Sequence, residues 1–412
     1  MDLRNYGIVT AAYWGFTLTD GALRMLVLLH FHTLGYTPVQ LAFLFLLYEF
    51  CGILTNLFGG WIGSRMGLKI TLFAGLGIQI AALTMISLIQ PGWTAAISVT
   101  YVMSAQALSG IAKDLTKMSS KSAVKLLVPK QQGEHPAESD RRLFKWVAIL
   151  TGSKNALKGI GFLLGGVLLG WLGFAASLWA MAGSLAVILL IGLIWLKQDL
   201  GKSKNKVKFS QLFSKTREIN ILSAARFFLF GSRDIWFVVA LPVFLKETLE
   251  WSFASVGGFL AAWVIGYGIV QASAPGFVRK GGSENGARAA LIWGGLLVLV
   301  TSAIAAAVQF DYHPTLAILC GLAIFGIVFA VNSAVHSYLI LAYTDSDKVA
   351  LNVGFYYMAN ACGRLVGTLL SGVLYVQSGL PGCLWASTLF VLMAAALTIM
   401  LPRNVDRRLS DQ

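Results

Sequence analysis

Long apolar runs separated by short polar breaks dominate this chain. A helix needs about 20 residues to cross a bilayer. Twelve segments reach that length, at 7–32, 39–63, 69–90, 94–115, 146–172, 174–196, 219–245, 252–278, 287–309, 315–343, 350–377 and 382–401. The pattern predicts an all-α integral membrane protein with twelve transmembrane helices. Two polar stretches interrupt it. Residues 197–218, rich in Lys, form a linker near the midpoint, between a first bundle at 1–196 and a second at 219–412. A loop at 116–145 divides the fourth and fifth spans. Its approach, KDLTKMSSKSAVKLL, spaces Lys113, Lys117, Lys121 and Lys125 four apart, one stripe on a helix. Lys121 and Lys125 are expected on a solvated cytoplasmic face, with Lys113 and Lys117 closer to the bilayer. The tail, VPKQQGEHPAESDRR, reads as a mobile loop.

Composition agrees with the pattern. The 412 residues are 57% hydrophobic and only 12% charged, where soluble domains carry about 25% charged residues. The formal charge of +14 invites a nucleic-acid partner, but its placement argues for a lipid bilayer instead. Lys and Arg gather in every second connection: Arg65 and Lys69, then Lys121 to Lys145, then Lys197 to Arg217, then Arg279, Lys280 and Arg288, then Lys348, then Arg403 to Arg408. The intervening connections are nearly bare, Lys246 excepted. That is the positive-inside pattern. It places the chain in the inner (plasma) membrane with both termini cytoplasmic. The N-terminus leads straight into the first span, so no signal peptide is expected. Cys51, Cys320, Cys362 and Cys383 are scattered without metal-ligand spacing, so neither metal nor cofactor is expected.

The two bundles repeat one another. With an offset of 206, Lys158 falls on Arg364, Gly161 on Gly367, Gly166 on Gly372 and Gly173 on Gly379. Asp20 of the first span corresponds to a position near Asp234 of the seventh. Gly161 and Gly165, Gly166 and Gly170, and Gly363 and Gly367 are each four apart, a spacing that lets helix backbones approach closely in lipid. Two six-helix halves joined by a cytoplasmic linker are the architecture of major facilitator transporters, which bind substrate at the midplane. The connection between spans two and three, Gly60-Trp61-Ile62-Gly63-Ser64-Arg65-Met66-Gly67-Leu68-Lys69, resembles the signature loop of that superfamily. Gly60, Arg65, Gly67 and Lys69 fit. Ser64 stands where the family usually has Asp, which weakens the charge-pair latch. PGFVRKGG at 275–282 is a degenerate second copy.

The intramembrane charges point to function. A cation at the centre of a membrane helix costs roughly 2.5–3.5 kcal/mol on insertion scales, so each needs a partner or a wet cavity. Asp20 and Arg24 are four apart, an internal pair by spacing. Arg226 and Arg233 share a face of the seventh span beside Asp234. Lys154 and Lys158 lie one turn apart on the fifth span with Asn155, and Arg364 mirrors Lys158. His336 follows Pro314 by the interval at which Lys113 follows Pro91. Eight cations, Arg24, Lys113, Lys117, Lys154, Lys158, Arg226, Arg233 and Arg364, meet four carboxylates, Asp20, Glu49, Asp114 and Asp234. A purely structural network would nearly balance. The surplus predicts a multiply charged anionic substrate, held by these cations with Asn155 and His336. Asp20, Glu49 and Asp234 are candidates for ion coupling. The five histidines form no catalytic motif, so an enzyme is not expected.

Three strings are more specific than the loop: TLTDGALRMLVLLHFHTLGYTPVQLAFLFLLYEF at 17–50, LSGIAKDLTKMSSKSAVKLL at 108–127 and LTGSKNALKGIGF at 150–162. They resemble the organoarsenical efflux permeases of bacterial arsenic-resistance operons, the ArsJ type, over essentially the whole chain. The resemblance implies export of 1-arseno-3-phosphoglycerate and a functional link to the glyceraldehyde-3-phosphate dehydrogenase that forms it. A monomer is expected. The alternatives are a transporter of another organophosphate anion and a general drug exporter.

Overall fold

The computed structural model describes residues 3–36, 44–90, 92–127, 136–196, 216–251, 253–278, 283–345 and 348–402. Among these residues it is built of helices: α1 (Leu3–Thr33), α2 (Leu46–Met66), α3 (Leu68–Ser87), α4 (Ala95–Leu127), α5 (Pro136–Leu172), α6 (Phe174–Trp195), α7 (Arg217–Phe237), α8 (Ala240–Glu247), α9 (Phe253–Phe277), α10 (Ser283–Gln309), α11 (Pro314–Ala342) and α12 (Val349–Ile399). Eight are long and apolar enough to cross a membrane. α7 falls outside those eight because it carries Arg226, Arg233 and Asp234. Most of the Lys-rich linker, Arg279, Lys280 and the basic C-terminus lie outside the described residues, as does the 128–135 part of the loop.

The predicted spans map onto these helices with three differences. The loop expected at 116–145 is helical at both ends, where α4 continues to Leu127 and α5 begins at Pro136, because both helices extend past their apolar spans. The seventh is broken between α7 and α8, where the Ala240 N–H donates to Ser371 Oγ at 3.1 Å. The eleventh and twelfth are two arms of α12, which turns at Gly379. Gly379 has φ 62° and ψ −163°. Its repeat partner Gly173 joins α5 to α6 with φ 76° and ψ −177°. Gly67, the single residue between α2 and α3, has φ 94° and ψ 153°. All three lie in a region open essentially to glycine alone.

The chain divides into two compact units: Met1–Pro129 with Ser153–Phe213 and Asp345–Met358, and Lys130–Gly152 with Ser214–Thr344 and Ala359–Gln412. Thus α5 and α12 each contribute one stretch to either unit. In the first unit α4 packs against α1, α2 and α3, and α6 against α1 and α3. In the second, α11 packs against α7, α9 and α10 around an aromatic core. Trp236 stands edge-on to Phe325 at 5.0 Å, Phe325 stacks on Phe329 at 5.4 Å, and Trp263 stacks on Tyr267 at 5.7 Å.

Candidate functional site

In the first unit, glycines bring α5 against α1. A Cβ at Gly21 would lie 2.8 Å from the Lys158 carbonyl oxygen, and one at Gly161 would lie 2.7 Å from that of Leu18. Gly165 meets Ala22 O closer still. This contact seats the lysine-bearing turn of α5 beside the Asp20–Arg24 turn of α1. Arg24 does not pair along its own helix, as the four-residue spacing predicts. Its Nη2 donates to Glu49 Oε1 of α2 at 2.6 Å, while Asp20 Oδ1 accepts the Tyr48 hydroxyl at 2.5 Å. Asp20 is taken up by the Tyr48 hydroxyl, and Glu49 on α2 supplies Arg24 with its carboxylate.

Glu49 also reaches Lys113, at 3.5 Å. Lys113 lies 3.6 Å from Asp114, and Asp114 accepts from Lys117. Arg24, Glu49, Lys113, Asp114 and Lys117 therefore form one chain of alternating sign with a cation at each end. Tyr48 sits among them, its ring centre 4.2 Å from Arg24 Cζ and 3.9 Å from Lys113 Nζ. A cation over an aromatic face is attracted by the ring quadrupole. Lys154 donates to Asn155 Oδ1 at 3.2 Å, and Lys158 lies 5.7 Å from the Phe162 ring centre.

Lys121 departs from the sequence-based expectation of a solvated residue. It is 7% exposed, and its Nζ donates to the Tyr357 hydroxyl at 2.5 Å. Lys117 stands 4.8 Å and Lys121 4.5 Å from the centre of the Tyr357 ring. The four-residue spacing identifies the stripe, but it is blind to a tyrosine more than 200 positions away that covers it.

The second unit repeats the close packing. A Cβ at Gly367 would meet the Gly231 carbonyl oxygen at 2.5 Å, and Gly363 abuts Phe227 O. α12 thereby lies against α7, as α5 does against α1. Arg226, 2% exposed, donates from Nε to Asn360 Oδ1 at 3.0 Å and from Nη1 to the Ser333 carbonyl and hydroxyl oxygens at 3.2 and 3.1 Å. Gln271 donates to the same hydroxyl. Arg233 donates to Asp234 Oδ1 from Nε at 2.7 Å and from Nη2 at 2.5 Å. Arg364 donates from Nε to Asp234 Oδ2 at 3.0 Å. His336 is buried one helical turn after Ser333, and its Nδ1 has no hydrogen-bond partner among the described residues.

Sequence reasoning missed Tyr48, Tyr357, Asn360 and Ser333. One signal was available for Asn360, which precedes Arg364 by four residues in an otherwise apolar run. In the connection resembling the superfamily signature, Gly67 N–H caps α2 on Gly63 O and Arg65 covers the Trp61 ring at 4.7 Å. Lys69 lies on the first turn of α3. Gly60 falls within α2, and the side chain of Ser64 lies outside the described residues. Among the described residues, no group of three or more His, Cys, Asp or Glu side chains is placed to hold a metal ion. Arg233 and Arg364 outnumber the Asp234 carboxylate they share, a chemistry suited to anions.

Known proteins supply the wider frame. No curated protein matches the sequence. Three solved structures share the fold at low identity. A bacterial homologue of the iron transporter ferroportin, in an outward-facing state, has a TM-score of 0.75 at 14% identity, covering 96% of this chain and 98% of that one. The human organic anion transporter MFSD10 (TETRAN) has a TM-score of 0.74 at 15% identity, covering 97% and 100%. The proton:xylose symporter XylE, bound to 6-bromo-6-deoxy-D-glucose, has a TM-score of 0.75 at 13% identity, covering 97% and 96%. The profile of the Major Facilitator Superfamily matches residues 8–331 and 222–411. Helices, repeat and profile coincide, and the chain belongs to the Major Facilitator Superfamily of membrane transporters, not to an enzyme family.

Proposed function

We propose that this transporter exports a phosphorylated organoarsenical anion, 1-arseno-3-phosphoglycerate, across the inner membrane by alternating access and so confers arsenate resistance. The observation that carries the anionic substrate is the charge imbalance inside the spans. Arg24, Lys113 and Lys117 share Glu49 and Asp114. Asp20 joins that network through the Tyr48 hydroxyl and balances it. Arg233 and Arg364 share Asp234, and the one-charge excess lies there. A phosphate brings about −1.5 to −2 at neutral pH, and an acyl-arsenate adds further negative charge. Arg is suited to bidentate recognition of such tetrahedral anions, and Lys acts as a point charge. Lys154, Asn155, Lys158, Arg226 and His336 complete the proposed substrate-binding set. The arsenical itself is supported by the three strings that resemble the organoarsenical permeases, and their partner would be the dehydrogenase that makes the compound.

The test uses arsenate-sensitive bacteria expressing the chain with and without a glyceraldehyde-3-phosphate dehydrogenase from such an operon. Arsenate resistance and lower cell-associated arsenic are expected only when both are present. If arsenic retention is the same in every combination, with the protein verified in the membrane, the arsenical reading fails and phosphorylated metabolites become the substrates to screen.

A further inference from the structure

We infer that Asp234 is a positioning residue that sets two arginines as a single anion clamp; the inference rests on the anionic substrate proposed above. Asp234 is 0% exposed, while the side chains of Arg233 and Arg364 are 16% and 29% exposed. The carboxylate thus lies behind and the guanidinium groups lie in front. Both oxygens are used, Oδ1 by Arg233 and Oδ2 by Arg364. Each arginine meets it through Nε, so the carboxylate holds both planar groups by the inner edge.

Helix geometry does not dictate the first of these contacts. Neighbouring residues on a helix do not face one another, so Arg233 bends back to reach Asp234. The rings of Phe230, Phe329 and Phe237, at 5.0, 5.7 and 6.0 Å from its Cζ, hold it there. Arg364 arrives from α12, which Gly363 and Gly367 bring against α7.

Two roles for the carboxylate compete. As a displaceable decoy it would surrender both arginines to the substrate and remain charged inside the protein. Removing the partner of a buried charge is strongly destabilising, which opposes displacement. As a positioner it keeps both contacts while the outer faces of the guanidinium groups meet the anion. Burial decides for the second role. The clamp then recognises a tetrahedral dianion such as a phosphate monoester, with Asp234 outside direct contact.

The discriminating experiment measures binding of 3-phosphoglycerate, and of lactate as a monoanionic comparison, to the purified full-length protein and two variants. Asp234→Asn makes the site more cationic but turns an amide N–H towards an arginine N–H. Positioning predicts at least tenfold weaker phosphoglycerate binding, with little change for lactate, in protein that still elutes as a folded, monodisperse species. Asp234→Glu keeps the charge and moves it by one methylene, and the same loss is expected. Binding to Asp234→Asn as tight as wild type or tighter would overturn the inference, because added positive charge alone predicts that result. Should Asp234→Asn fail to fold, Asp234→Glu decides, and wild-type affinity there overturns it equally. If the wild-type chain binds no phosphoglycerate, the anionic reading falls first and the clamp with it, an outcome distinct from a failure confined to the variants.

Discussion

Arg226 and Arg233 stand two turns apart on α7 and do different work. Arg226 is enclosed by Asn360, Ser333 and the Phe230 ring. Its replacement by Leu removes the donor to Asn360 Oδ1, at about 1–3 kcal/mol, while Ser333 keeps Gln271, and the melting temperature of the purified protein is expected to fall by a few degrees. Arg233→Ala removes a more exposed group and is expected to abolish arsenic efflux with the melting temperature retained. Lys158→Ala is expected to do the same, with membrane insertion intact in both. Lys121→Met keeps the volume but removes a charged donor to the Tyr357 hydroxyl. It should destabilise by about 1–2 kcal/mol, read as a shifted denaturation midpoint. The charged residues were legible in the sequence because a cation inside an apolar run has so few explanations. Their partners were not, since a hydrogen bond to Tyr48, Asn360 or Tyr357 depends on helices far away in the chain. Spacing alone gave Arg24 to Asp20, and the structure gives it to Glu49.

At the scale of the element, glycine decides which helices touch. Spacing by four identified Gly161, Gly165, Gly363 and Gly367 as packing residues, and each has a neighbouring backbone where a Cβ would go. The same spacing marked Gly166 and Gly170, yet Gly170 has nothing within 4 Å and Gly166 only a Leu29 methyl at 3.8 Å. A repeat of four names a stripe without naming the neighbour. Gly165→Ala and Gly363→Ala are therefore expected to reduce the yield of monodisperse protein on size exclusion, while Gly170→Ala and Gly372→Ala leave it unchanged. The corners follow a separate rule. Ala at Gly173 or Gly379 must adopt a backbone state that costs on the order of 1–3 kcal/mol, and either substitution should lower thermal stability by a similar amount. The break between α7 and α8 left no trace in the sequence, because Val238 and Val239 keep the run apolar while the backbone turns to Ser371.

For the whole molecule, the helices that hold the charges are those least able to enter a bilayer alone. α7 carries Arg226, Arg233 and Asp234, and at roughly 2.5–3.5 kcal/mol for each central charge it needs neighbours to insert. Fused alone to a topology reporter, the 217–247 segment is expected to insert poorly, and to insert efficiently when α9 to α12 follow it. Efficient insertion of the isolated segment would show that its charges are not central. The fold was legible from the runs and their charged connections, and the Gly173–Gly379 correspondence was visible as two letters 206 positions apart. What those letters preserve is a torsion angle. Where one half has Lys158 the other has Arg364, and many neighbours differ, while the joint is the same. The likeness of the two halves is written in a backbone rotation that glycine alone carries without strain, more than in the side chains on either side of it.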